Sequence, residues 1–190
     1  MRYLIVLISI ITFTFKLSAK NIDDEESYLN NINSFTANFL QLDSSGSLVE
    51  GKILISKPGK FKWDYTSQPI QIVSDGKTII FYDKELEQSS FLDVEDSIAS
   101  LLAEANIDLE KDLNILEFVT NDNGTYITLS KPNKKDVKEM RLYFKHDPFA
   151  ITKIDVLDYN NNNIEINFFD IEINNKISNS EFIILDNRFN

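Results

Sequence analysis

The chain reads as a mainly β protein of the α+β class, in which about eleven short antiparallel strands are accompanied by two or three short helices. Three observations predict this. First, Gly51 to Gln88 is a run of short β-branched and aromatic segments punctuated by Pro58-Gly59, Gln68-Pro69, Ser74-Asp75-Gly76 and Asp83-Lys84-Glu85. Second, Phe61, Trp63 and Tyr65 alternate with Lys60, Lys62 and Asp64, which puts three aromatics on one face of a strand and three charges on the other. Third, the C-terminal third repeats the strand-and-turn pattern. Its connections are too short for the crossover of a dozen residues or more that parallel neighbours need.

In chain order, Met1-Arg2, the apolar run Tyr3 to Phe15 and Leu17-Ser18-Ala19 form a secretory signal peptide over 1–19, cleaved after Ala19 and leaving one domain over 20–190. The apolar run of about 13 residues falls short of the roughly 20 that a spanning helix needs. Asp23 to Asn33 is the first helix, with acidic residues in its first turn. Ser34 to Gln41 alternates as a strand, and Asp43-Ser44-Ser45-Gly46-Ser47 turns it back into Leu48 to Ile55. The central meander then runs through Phe61–Tyr65, Ile70–Val73, Thr78–Tyr82 and Leu86–Gln88. Ile98, Leu101, Leu102 and Ala105 mark an amphipathic helix from Asp96, its N-cap, to Glu104, and Asn106 to Asp112 adds a further turn. Strands follow at Ile115–Thr120, Gly124–Ser130, Glu139–Lys145, Ala150–Tyr159 and Ile164–Ile173. Phe182 to Leu185 either extends the sheet or packs as a tail. So many strands form a broad sheet that must curl, and two short helices do not cover all its apolar face. The sheet closes into a barrel, or something else, such as an apolar ligand, fills the hollow.

The chain contains no cysteine and a single histidine, which argues against zinc and cysteine–histidine chemistry and suits a disulfide-free export compartment such as a bacterial periplasm. With the signal removed, 17 basic residues stand against 30 acidic ones, a formal charge of −13 that repels nucleic acid and anionic lipid. Ser74-Asp75-Gly76-Lys77-Thr78 ends like a phosphate-binding loop, but Gln71 stands where the first glycine is required, so the segment reads as a hairpin turn. His146, beside Asp147-Pro148, lacks a nucleophile-elbow partner, and the carboxylates are scattered over wet faces. No catalytic residue, metal ligand or cofactor is expected. Phe39, Phe61, Trp63, Phe81 and Phe91 line a ligand groove or belong to an ordinary core; spacing alone favours core. Lys57 reads as a surface lysine.

Phe35-Thr36-Ala37-Asn38-Phe39-Leu40-Gln41, Gly51, Lys57-Pro58-Gly59-Lys60-Phe61-Lys62-Trp63, Pro69, Ser74-Asp75-Gly76-Lys77 and Tyr82 to Gln88 resemble, in order and spacing, the LolA family of periplasmic outer-membrane lipoprotein carrier proteins. The resemblance covers about a third of the chain after the signal. It implies an incomplete antiparallel β-barrel of eleven strands with three helices as a lid. It also implies a monomeric, non-enzymatic carrier that takes triacylated lipoproteins from an ATP-driven (ABC-type) inner-membrane release complex to an outer-membrane receptor. Lys57 falls where the family has an arginine that latches the lid, and lysine lacks the planar five-donor fork, so a looser lid is expected. Phe61 matches an aromatic near cavity and lid, and Trp63 a core aromatic. The alternatives are a lipid- or lipoprotein-sensing domain of the same fold and a secreted hydrolase.

Overall fold

A computed structural model describes residues 22–92, 98–132 and 137–183. After helix α1 (Asp23–Asn31) come β1 (Ser34–Asp43), β2 (Leu48–Ser56), β3 (Lys60–Tyr65), β4 (Ile70–Asp75), β5 (Ile79–Asp83) and β6 (Gln88–Leu92). Helices α2 (Ile98–Ala103) and α3 (Leu109–Asp112) lead to β7 (Asn114–Asn121), β8 (Gly124–Ser130), β9 (Val137–His146), β10 (Phe149–Asp158) and β11 (Asn163–Ile173). All eleven strands form one antiparallel sheet in the order β6-β5-β4-β3-β2-β1-β11-β10-β9-β8-β7. Two meanders are therefore joined by the first and last strands, with Phe39 opposite Phe168 at the seam.

Aspartates close the hairpins by accepting backbone N–H groups two to four residues on. Asp43 takes those of Ser45 and Ser47, Asp75 those of Lys77 and Thr78, Asp83 those of Glu85 and Leu86, and Asp158 those of Asn160 and Asn162. The Asp83 turn corrects the sequence reading. It consumes the amide of Leu86 and is followed by Glu87 at φ +50°, so the strand expected over Leu86–Gln88 is a turn that ends where β6 begins at Gln88. Similarly, Asp75 engages Thr78, and β5 starts one residue later than expected. The first helix stops at Asn31, because Ile32 is already extended. Asp96 lies outside the described residues.

The sheet is amphipathic by register. Phe61, Ser74 and Ile79 stand opposite one another on the inner face, as do Trp63, Ile72 and Phe81. In the second meander, Ile166, Ile154, Leu142, Ile127 and Phe118 form the corresponding row. These residues and the apolar sides of the helices share one hydrophobic core. The opposite face carries charge, including Lys153 between Asp155 and Glu165, both at 2.9 Å, and Arg141 over the Tyr126 ring. One outer patch is apolar: Val73 and Ile80 are paired there and buried. The 3-10 turn Asn179–Phe182 packs on this side of β3 and β4. Asn179 and Glu181 accept from Lys60 and Lys62, and Phe182 is buried. Phe182 thus belongs to a packed tail rather than a further strand, while 184 and 185 lie outside the described residues.

Gly51 explains how the aromatic row fits. A Cβ at this position would lie 2.3 Å from the carbonyl oxygen of Asp64 and 2.6 Å from the Phe39 ring. With no side chain there, the Phe39 ring lies across β2 and meets Trp63 at 5.1 Å and Tyr65 at 5.3 Å.

Candidate ligand-binding site

The helices lie against the inner face through core residues such as Leu29, Leu101 and Leu109, and specific polar bonds add to this packing. The Lys57 ammonium donates to the carbonyl oxygen of Leu29, in the last turn of α1, at 2.8 Å. A cation at a helix C-terminus meets the negative end of the helix dipole and an otherwise orphaned carbonyl. Burial pushes the Lys57 pKa down, and nearby Glu104 pulls it back up. Among the described residues, the hydrogen bond of the lysine side chain goes to α1. The end of α2 is held by backbone, since Gly59 N–H donates to the Ala103 carbonyl at 2.7 Å. Gly59 has φ +74°, and a Cβ on it would come within 3.0 Å of Gly76 Cα, so the two hairpin turns pack back to back. Ser74, on the inner face, ties them by donating to the Gly59 carbonyl. A cavity of about 280 Å³ lies beside α2, bounded by Phe61, Gly59, Ser100, Ala103, Glu104 and Lys131.

The helices are also bound to each other. Asn30 exchanges two 2.8 Å hydrogen bonds with the backbone of Ile107, and the Glu26 carboxylate accepts the Leu109 N–H at 2.8 Å. Asp108 caps α3 through Lys111 N–H.

A second attachment of α1 was not legible in the sequence. Glu25 is 3 % exposed, and burial pushes its pKa up against the opposing pull of its backbone hydrogen bond, the Thr125 hydroxyl and His146. Thr125 Oγ1 lies 3.0 Å from His146 Nε2, and the imidazole stacks on Phe149, which also meets the edge of the Tyr28 ring. The Tyr28–Phe149 contact and the buried Glu25 thus set the first helix against the Thr125, His146 and Phe149 side chains of the sheet. Glu25 is one of four consecutive acidic residues, and nothing in the local pattern separates it from its neighbours.

The residues expected to bind a ligand divide into three sets. Phe39, Phe61 and Trp63 are together on the inner face and buried. Phe81 shares that face, one strand beyond Ile72, and lines a separate pocket of about 200 Å³ to which, among the described residues, no helix residue contributes. Phe91 is a correction: it pairs with Ile80, so it projects from the outer face and is 56 % exposed. The expected strand ended at Gln88, so the register that decides Phe91's side could not be followed. Among the described residues, the buried Trp63 Nε1 has no acceptor, and no group of three or more potential metal ligands is present.

A family model described as outer membrane lipoprotein carrier protein LolA matches residues 30–184. The chain belongs to the LolA family. The LolA relatives include an outer-membrane lipoprotein carrier protein of Methylobacillus flagellatus, 27 % identical over 96 % of this chain and 94 % of that one. Another, from Methylococcus capsulatus, is 34 % identical over 67 % of this chain and 66 % of that one. An uncharacterised protein of Rickettsia prowazekii is 29 % identical over 70 % and 68 %, respectively. Among solved structures, a LolA superfamily protein of Nitrosomonas europaea superposes with a TM-score of 0.52 at 11 % identity, covering 87 % of this chain and 99 % of that one. The expected LolA architecture, an open eleven-strand antiparallel sheet with three short helices, is the one observed. The family is one of lipoprotein carriers, and no described helix is long and apolar enough to cross a membrane.

Proposed function

We propose that the protein is a non-enzymatic periplasmic chaperone that encloses the acyl chains of triacylated lipoproteins between the inner sheet face and its helices. It is exported by the signal over 1–19 and acts as a monomer without a cofactor. It receives its cargo from an ATP-driven inner-membrane complex and yields it to an outer-membrane receptor. The need is energetic: at about 0.8 kcal/mol per CH₂, exposing one chain of roughly 16 carbons to water costs on the order of 12 kcal/mol.

The observation that carries this reading is an apolar inner face covered by helices whose apolar sides pack on it and whose ends are fastened by specific polar bonds. Lys57 to Leu29 and Gly59 to Ala103 fasten α1 and α2 to one hairpin turn. Release of these bonds would uncover Phe61 and the aromatic row behind it. The unpaired Trp63 Nε1 supports the same reading, because leaving a buried donor unmade costs about 1–3 kcal/mol. An acyl carbonyl in the opened cavity would satisfy it.

The test is whether residues 20–190 hold a triacylated lipopeptide soluble as a 1:1 complex without detergent. Phe61→Glu should abolish or weaken this, with circular dichroism confirming a folded variant. If wild-type protein leaves the lipopeptide aggregated where a known carrier keeps it soluble, the carrier reading fails.

A further inference from the structure

Helix α1 is held at its two ends by different chemistry. Beyond the Lys57 ammonium, its C-terminal end is clasped by amides, which do not titrate. Asn174, at φ +60°, accepts the Asn33 N–H on its side-chain oxygen at 2.7 Å and donates from its side-chain nitrogen to the Asn31 carbonyl at 3.2 Å. Its own N–H donates to Ser34 O at 2.8 Å, and the Lys57 N–H donates to Asn33 O at 2.9 Å. Asparagine is among the few side chains that tolerate a positive φ, so β11 can end here as a clamp.

The N-terminal end rests on a carboxyl group. Glu25 is buried against Thr125, also buried, whose Oγ1 lies 3.0 Å from His146 Nε2. One turn on, Tyr28 meets Phe144 at 6.0 Å and Phe149 at 5.4 Å, so this foot of the helix is set in apolar surface. Such surroundings favour the neutral acid over the ion. The groups acting on Glu25 come from three elements: Asp24 on α1 opposes ionisation, while the Thr125 hydroxyl on β8 and the His146 imidazolium on β9 favour it. Glu26, the next residue, is engaged with α3 through the Leu109 N–H. From β10 come the uncharged Phe149 and the Ile151 backbone, both beside Tyr28.

We propose that Glu25 is a pH-operated latch on α1, which holds the N-terminal half of the helix on the second meander in acid and releases it in mild alkali. It holds as a neutral acid, or as an ion facing the imidazolium, and lets go when a buried carboxylate is left facing a neutral imidazole. The direction follows from burial: a carboxyl group whose pKa is raised in the fold contributes below its unfolded value and loses that contribution as pH rises through the folded one. Histidine is the side chain whose charge ordinarily changes between about pH 5 and 8, which places the release in a physiological range. Because the Asn174 clasp persists, the helix swings about its C-terminal end instead of detaching, and the bond from Leu109 to Glu26 carries α3 with it. The latch does not depend on what the protein carries.

The experiment is hydrogen exchange by mass spectrometry on residues 20–190 at about pH 5 and about pH 8, expressed as protection factors so that the intrinsic pH dependence of exchange cancels. Peptides covering Asp23–Asn31 should lose protection several-fold at the higher pH, and those from β2 and β10 should not change. Glu25→Gln, a neutral isostere, should keep the acid level of protection at both values, whereas Glu26→Gln should retain the wild-type drop. His146→Gln should move the drop to lower pH; a histidine that only packs would instead lower protection equally at every pH. In the wild type, the side-chain carboxyl carbon of Glu25 should titrate, by NMR, in step with the loosening of α1. Protection of α1 independent of pH, a drop that survives Glu25→Gln or vanishes in Glu26→Gln, or a Glu25 carbon that titrates outside the range of the drop would overturn the proposal.

Discussion

Replacing Lys57 with methionine isolates the side-chain half of the helix attachment. The substitution keeps the aliphatic stem and removes the ammonium that donates to Leu29 O at 2.8 Å. A hydrogen bond involving a charged group contributes about 1.5–3 kcal/mol, and a partly buried carbonyl left without a donor costs about 1 kcal/mol or more. Against this, the variant no longer desolvates a charge, a cost visible in the downward push on the Lys57 pKa. The net effect should be about 1 kcal/mol in favour of the open form, a five- to tenfold shift of the closed–open equilibrium. The backbone bond from Gly59 to Ala103 is unaffected, so α1 should loosen more than α2. Hydrogen exchange measured by mass spectrometry is the direct assay: peptides covering Asp23–Asn31 should exchange several-fold faster, and those covering Leu101–Ala103 should change less. Affinity for a triacylated lipopeptide should rise, because less free energy is spent on opening. Unchanged exchange in α1, or loosening confined to α2, would refute the role given to Lys57.

Three further outcomes follow from the geometry. Gly51→Ala places a methyl group 2.3 Å from Asp64 O and 2.6 Å from the Phe39 ring, so urea unfolding should show a loss of about 1–3 kcal/mol. Stability equal to wild type would mean that the aromatic row is not locked. Burial raises the pKa of Glu25 in the fold, so its contribution is fully present below the ordinary carboxylate range and is lost as pH rises through the folded value. Glu25→Gln should therefore be more stable than wild type at pH 8, with the difference vanishing near pH 4, as read from urea midpoints; a variant less stable at pH 8 would contradict this. Phe91→Ser, on the outer face, should change lipopeptide affinity by less than about 0.5 kcal/mol. A large loss would place ligand contact on that side.

The order of strands along the chain was legible because each is a short period-two segment between turn formers, and ten of the eleven lie within a few residues of where the alternation places them. The exception shows the limit. Leu86-Glu87-Gln88 has little to separate it from a strand, and only the capture of two amides by Asp83 makes it a turn. The candidate site was legible where the pattern was local, as in the inward aromatics Phe61 and Trp63. It was not legible at Glu25, Thr125 and His146, which are distant in sequence and meet only when α1 crosses the second meander.

The amphipathic strands and the turns between them can be read from the chain because they depend on neighbours a few residues apart, and the lack of cysteine rules out disulfides outright. That β1 pairs with β11, with Asn38 near Asp170 across the seam, is visible in the folded molecule and not before, because contacts between distant segments leave no periodic signature. The same holds for the face that Phe91 occupies. A strand's sidedness is relative, and a register must be followed through Ile80 and Val73 to the outward Lys62 before inner and outer acquire meaning.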